Sequence, residues 1–246
     1  MFNFFITKDK ISNKTAIIEG GDFNHIKNVL RMREGEKLLV STDGISHLAQ
    51  IKELNEQSVL VDIIEENYND TSLAVCIHLF QALPKSDKLE LVIQKAVELG
   101  AEQVIPVQTE RCVVKIEEKK IKSKCERWNA IAESAAKQCK RAFIPTVSEV
   151  VSFPQMANTV KDYDLFLVAY EDEKGIENTK NALQSIKKGD KIAVLIGSEG
   201  GLSEKEVGCL KEKGAKVISL GKRILRTETA SITALSVLMM HAEMNL

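Results

Sequence analysis

The chain has 246 residues, 44% of them hydrophobic and 28% charged, with a formal net charge of -1. That is the length and balance of a globular protein with one large domain or two modest ones, and it excludes nucleic-acid binding through overall basicity, leaving only a local basic face for that purpose. Five scattered cysteines, odd in number and without a CxxC pair, exclude a disulfide framework and a structural zinc site of ordinary spacing.

The opening MFNFFITKDK is apolar over too few positions for a signal peptide and turns charged at once. Nowhere does an apolar run approach the roughly 18 residues of a membrane span. A soluble cytoplasmic protein with buried, reduced thiols is expected. Residues 1–70 read as short strands. EKLLVSTDGISHLAQIKELNEQSVLVDII alternates apolar and polar residues in pieces, with Asp43-Gly44 placed as a tight hairpin turn. One short helix, from about His25 to Met32, interrupts them. A small β-barrel is expected here, bounded by the polar stretch NYNDTS at 67–72.

From residue 73 the period changes. LAVCIHLFQAL is a continuous apolar strand, followed by a helix from about Ser86 to Leu99 that stops at Gly100. EQVIPVQ is the next strand, and KKIKSKCERWNAIAESAAKQCKR a long helix with Trp128 in its core-facing stripe. DLFLVAY, KIAVLIG and AKVISLG follow, separated by helical segments. Apolar strands alternating with helices predict a parallel sheet covered on both faces, over residues 73–246. Ligands of such sheets sit at the carboxyl ends of the strands.

Two of those ends are unusual. LIGSEGGLSEKEV (195–207) turns from a buried strand onto three glycines in five positions. The loop is neither GxGxxG nor GxxxxGK[ST], so the common dinucleotide and P-loop readings fail. Ser203 with Glu206 forms a capping box for a helix ending near Gly214. A tight turn needs one glycine; three beside Glu199 read as a loop that lets a ligand approach backbone. The second junction, LGKRILRTETA (220–230), carries Lys222, Arg223, Arg226 and Glu228 ahead of an apolar helix. A solvated turn capped by Thr227 explains its charges. It leaves unexplained the Ile224-Leu225 pair, which suits clamping a flat apolar ring, and both readings stand.

Together GSEGG-L-S-x-x-E and LGKRILRTETA resemble the paired signatures of SPOUT methyltransferases of the RsmE type, which methylate N3 of a uridine in small-subunit 16S ribosomal RNA. The resemblance extends through HIKNVLRMREGE (25–36), IQKAVELGAEQVIP (93–106), TERCVV (109–114) and RWNAIAESAAKQCKRAFIP (127–145), nearly the whole chain. One departure is Ser198, where the family usually has proline; it adds a hydroxyl and loosens the loop. The resemblance implies an α/β fold: a SPOUT-type parallel sheet with a C-terminal trefoil knot over 73–246, preceded by a PUA-like RNA-binding β-barrel over 1–70. It implies S-adenosylmethionine as cofactor, held by Leu195, Gly197, Glu199, Gly200, Leu220, Gly221, Ile224, Leu225 and Arg226. It further implies a homodimer, with the apolar last helix ITALSVLMMHAEM in the interface, and 16S rRNA within the small subunit as partner.

Uracil N3 carries a proton and attacks poorly until it leaves, and a nearby cation favours the anionic base. Arg226 suits that role, with Glu199 or Glu228 as proton acceptor; an internal salt bridge is the competing role for Arg226. No metal is needed for the displacement. RNA contact falls to His25, Arg31 and Arg33, and to Arg111 and Arg141 in the matching upstream segments. The lysines at 115, 119, 120, 122 and 124 are interspersed with Glu117, Glu118 and Glu126, the composition of a solvated face. Two other readings remain: a knotted methyltransferase acting on another base or on ribose 2′-OH, and a non-catalytic RNA-binding ribosome assembly factor.

Overall fold

Asp43 and Gly44 both take positive φ, 49° and 79°, the backbone that a two-residue hairpin matched to sheet twist requires. They join two strands of a six-stranded sheet in a computed structural model that describes residues 1–68, 70–171 and 175–246. Asn69, inside the expected boundary stretch, lies outside the described residues.

The chain forms two compact units. In the first, β1 (Asn3–Phe5), β2 (Ile11–Ser12), β3 (Thr15–Glu19), α1 (Gly20–Asn24), β4 (Lys37–Thr42), β5 (Ile45–Leu54) and β6 (Ser58–Glu65) follow in order. The sheet runs β1-β4-β5-β6-β3-β2, so the expected barrel has an open seam between β1 and β2. Alternate residues supply its core, among them Leu38, Val40, Val59 and Val61. Each such side chain contributes about 1.5–3 kcal/mol on burial.

The expected helix from His25 to Met32 is shorter and wider than a regular one. After α1, His25–Val29 make a π-helical turn, and Arg31 takes a positive φ of 53°. The wide turn drives Ile26 and Met32 into the core and leaves His25, Arg31 and Arg33 exposed. Residues 136–144, expected in the helical half, belong to the first unit instead. Asn3 Nδ2 donates to the Arg141 carbonyl at 2.9 Å, and Lys137 pairs with Asp22 at 2.8 Å.

The second unit carries β7 (Cys76–Ala82), α2 (Lys88–Glu98), β8 (Gln103–Gln108), α3 (Glu118–Cys139, whose last turn is in the first unit), β9 (Thr146–Val147) and β10 (Val151–Ser152). It continues with α4 (Phe153–Ala157), β11 (Leu165–Ala169), α5 (Glu177–Gln184), β12 (Lys191–Ile196), α6 (Glu204–Glu212), β13 (Lys216–Ile218) and α7 (Thr227–Asn245). The main path of the sheet is β10-β8-β7-β12-β11-β13. The pairings along that path are parallel. Residues 192–196 of β12 are buried throughout, as a strand covered on both faces must be. Among the described residues, no helix is long and apolar enough to cross a membrane. The five cysteines are free; Cys112 is buried and the other four are partly buried.

Candidate active site

The carboxyl ends of β11, β12 and β13 leave a cavity of about 450 Å³, the size of a small-molecule site. Ala169, Ile196 and Ser219, where the three strands end, line it.

The glycine loop after β12 is packed tightly against its own chain. A Cβ on Gly197 would lie 3.1 Å from the Gly201 backbone, and one on Gly200 would lie 3.0 Å from Arg111 Cβ and 3.1 Å from the Arg111 carbonyl. Both glycines are therefore needed for close approach of protein to protein. Gly201 N–H closes the turn onto the Ser198 carbonyl at 2.9 Å. Ser198 does not loosen the loop: it is buried, and its hydroxyl donates to the Arg111 carbonyl at 3.4 Å. The expected capping box forms, with Glu206 N–H donating to Ser203 Oγ and Ser203 N–H to Glu206 Oε2. The other Glu206 oxygen accepts the Glu110 amide at 2.9 Å.

The second loop is held at its end. Thr227, read as a cap, is the first residue of α7, and Arg226 is the cap position. The Thr227 hydroxyl instead accepts from Gln81 Nε2 at 2.9 Å and donates to the Gly197 carbonyl at 2.6 Å. Ser231 Oγ donates to Gln81 Oε1. This buried polar chain joins the end of β7, the glycine loop and the start of α7, with each group satisfied. Between Ser219 and Thr227 the loop is open: Ile224 is 87% exposed, and Lys222, Arg223 and Arg226 are exposed at the cavity wall.

Two carboxylates converge on one ammonium. Lys88 Nζ donates to Glu199 Oε1 at 2.8 Å and lies 3.4 Å from Glu228 Oε2. Glu199 also accepts the Lys85 amide at 3.2 and 3.3 Å. Burial alone raises the Glu199 carboxyl; the Lys88 ammonium and the backbone amides of Glu199 and Lys85 outweigh it and hold the group below its ordinary value. The hydrogen bond to Glu199 raises Lys88 in turn. Glu228 Oε2 is buried without a well-formed hydrogen bond, and the Lys88 ammonium at 3.4 Å is the cation beside it.

Of the residues expected around the cofactor, Gly197, Glu199, Leu220, Gly221, Ile224, Leu225 and Arg226 line the cavity. Leu195 does not: it is fully buried within β12, in the core behind the site. Gly200 faces Arg111 rather than the cavity. Glu228 is not among the residues lining the cavity; its Oε2 is buried, 3.4 Å from Lys88 Nζ. The Arg226 side chain makes no hydrogen bond or ion pair among the described residues, so the internal salt bridge is absent there; its carbonyl accepts the Ala230 amide at 2.8 Å.

Arg111 is exposed, with Nη1 on the Gly200 carbonyl at 3.1 Å. Arg141, expected at an RNA surface, is 5% exposed with its guanidinium 4.3 Å over the Phe143 ring; burial removes it from that role. Trp128 is buried as expected.

Sequence spacing missed Lys88 and Gln81, which reach the site only through the fold. It also missed Cys76, His78 and Glu102, whose ligand atoms come within 4.8 Å of one another at the amino end of the sheet. There the Cys76 thiol donates to Glu102 at 3.0 Å and His78 Nδ1 meets the Tyr163 hydroxyl at 2.9 Å.

The chain is similar to known proteins. The family described as RNA methyltransferase domain matches residues 71–239, and the RNA methyltransferase PUA domain matches 18–64. A Bacillus subtilis protein named ribosomal RNA small subunit methyltransferase E is 39% identical over 99% of this chain and 98% of its own length. A crystal structure of a ribosomal RNA small subunit methyltransferase E from Neisseria gonorrhoeae, bound to S-adenosyl methionine, superposes with a TM-score of 0.84 at 28% identity, covering 98% of this chain and 97% of that one. A Legionella pneumophila protein described as a putative methyltransferase, with bound S-adenosylmethionine, gives 0.80 at 32% identity over 96% of each chain.

Proposed function

This chain belongs to the ribosomal RNA small subunit methyltransferase E family, and from that premise we propose that it transfers a methyl group from S-adenosylmethionine to N3 of a uridine in 16S ribosomal RNA. The observation that carries the reading is the cavity at the carboxyl ends of β11, β12 and β13, walled by both signature loops.

The residues present fit the cofactor. Leu220, Ile224 and Leu225 offer an apolar wall to an adenine, and Glu171 and Glu199 put carboxylates at the wall near a cationic group. The cofactor supplies an electrophilic methyl on sulfur, displaced in line, so alignment of the two reactants accounts for much of the rate. The Arg226 side chain, with no partner among the described residues, is free to favour the N3 anion of a bound uridine. Neither carboxylate of the expected acceptor pair is a good base: Glu199 is depressed by Lys88 and backbone amides, and Glu228 is turned to Lys88. The N3 proton therefore passes to water as Arg226 stabilises the anion.

RNA reaches the protein through His25, Arg31 and Arg33, exposed on the first unit, together with Arg111. We infer that the C-terminal segment forms a trefoil knot, a reading supported by Thr227 reaching Gln81 and Gly197, at the ends of β7 and β12 rather than beside β13. The protein acts as a cytoplasmic homodimer through α7, which leaves Val237, Met240 and Met244 exposed. The substrate is 16S rRNA within the small subunit.

Incubating the protein with small subunits lacking the modification and isotopically labelled cofactor, then mapping nucleosides by mass spectrometry, tests the reading. Label in N3-methyluridine supports it. Label in a ribose methyl or another base moves the activity elsewhere, and no label with bound RNA returns the assembly-factor reading.

A further inference from the structure

Lys88 opens α2, yet its ammonium serves two other segments, the glycine loop and the first turn of α7. The turn before it is shaped for delivery. Ser86 takes a φ of 56°, a conformation that a residue with a side chain rarely adopts and that persists only where its surroundings demand it. That backbone aims the Lys85 amide and the Lys88 side chain at the same carboxylate, Glu199. Glu228 then depends on Lys88, because its buried Oε2 accepts no well-formed hydrogen bond. Lys88 also lines the cavity.

We propose that Lys88 is a positioning residue for the cofactor pocket, its ammonium drawing the glycine loop and the start of α7 against α2 through Glu199 and Glu228. The proposal deepens the cofactor reading and rests on it. Glu199 and Glu228 act in it as counter-ions that fix loop geometry. Without the ammonium, two carboxylates would face the point it held, and like charges so placed push their segments apart. Both segments carry cavity-lining residues, Gly197 and Glu199 on one side and Thr227 and Ala230 on the other.

A double-mutant cycle of Lys88→Met and Glu228→Gln on the full-length protein tests this, read by thermal melting without ligand and by calorimetric titration with S-adenosylmethionine. Lys88→Met is expected to lower Tm and to weaken cofactor binding by about tenfold or more; adding Glu228→Gln recovers part of both, because the stranded carboxylate is gone. In methyl transfer, Lys88→Met raises KM for the cofactor more than it lowers kcat. If Lys88→Met alone fails to fold, a double variant that folds demonstrates the same coupling, and one equally unfolded overturns it. Wild-type Tm and affinity in Lys88→Met overturn the proposal, as do losses that Glu228→Gln leaves unchanged. Wild-type protein that binds no cofactor overturns the cofactor reading, while the melting cycle still decides whether Lys88 holds the loops.

Discussion

The glycine loop at 197–203 is fastened on several sides before any ligand arrives, whereas residues 221–226 carry side chains that project from the protein. Gly197 accepts from Thr227, Gly200 from Arg111, and Ser203 shares Glu206; Ile224 stands 87% exposed, and the Arg226 side chain has no partner among the described residues. One wall of the cavity is thus preformed, and the other has surface left to cover. Preformed structure lowers the ordering cost of binding, and the open wall supplies the contacts that only a ligand completes.

The contrast breaks most directly at Gly200. Gly200→Val puts its branched carbon into Arg111, an overpacking that costs about 1–3 kcal/mol where the backbone must shift, and Arg111 lies beside the loop at 3.0 Å. Cofactor binding by calorimetry should disappear, with a lower Tm. Arg226→Ala should act in the opposite sense. Its side chain supports no fold contact, so Tm holds, while turnover at saturating cofactor falls by about 100-fold, the low end of what one positioned group supplies to a proton transfer. Retained turnover would withdraw the role.

Ile224→Ala sharpens the comparison further. An exposed site changes stability by less than about 0.5 kcal/mol, but three carbons that a ligand covers are worth about 2 kcal/mol of affinity. Equal affinity in the variant would mean that Ile224 does not clamp the ring. The smallest effect is with pH. Glu199 titrates below its ordinary 4.5 in the folded chain, so its contribution is whole above that value and lost as pH falls below it. Melting curves should therefore soften on acidification below pH 4.5, and less so in Glu199→Gln.

Much of this was legible in the chain because the responsible interactions are local. The Ser203–Glu206 capping box spans three residues, the Asp43-Gly44 turn two, and strands such as KIAVLIG announce burial by composition. The two loops stood out for the same reason. Lys88 did not, since it meets Glu199 across 111 positions and no periodicity ties them. Leu195 and Gly200 were assigned to the cofactor because they sit within the signature. The register of β12 turns Leu195 into the core, and the Arg111 segment occupies the space beside Gly200. Arg141 lies in a segment that matches the family, which points to an RNA surface; the fold instead buries it with its guanidinium over Phe143, in the stretch that belongs to the first unit.

The measurement that bears most directly on the preformed and open walls is calorimetric titration of S-adenosylmethionine into the purified wild-type chain, Ile224→Ala and Gly200→Val. The account predicts saturable binding to the wild type, weaker binding with unchanged Tm in Ile224→Ala, and none in Gly200→Val. Wild-type affinity in both variants would contradict it, placing the cofactor away from these two loops.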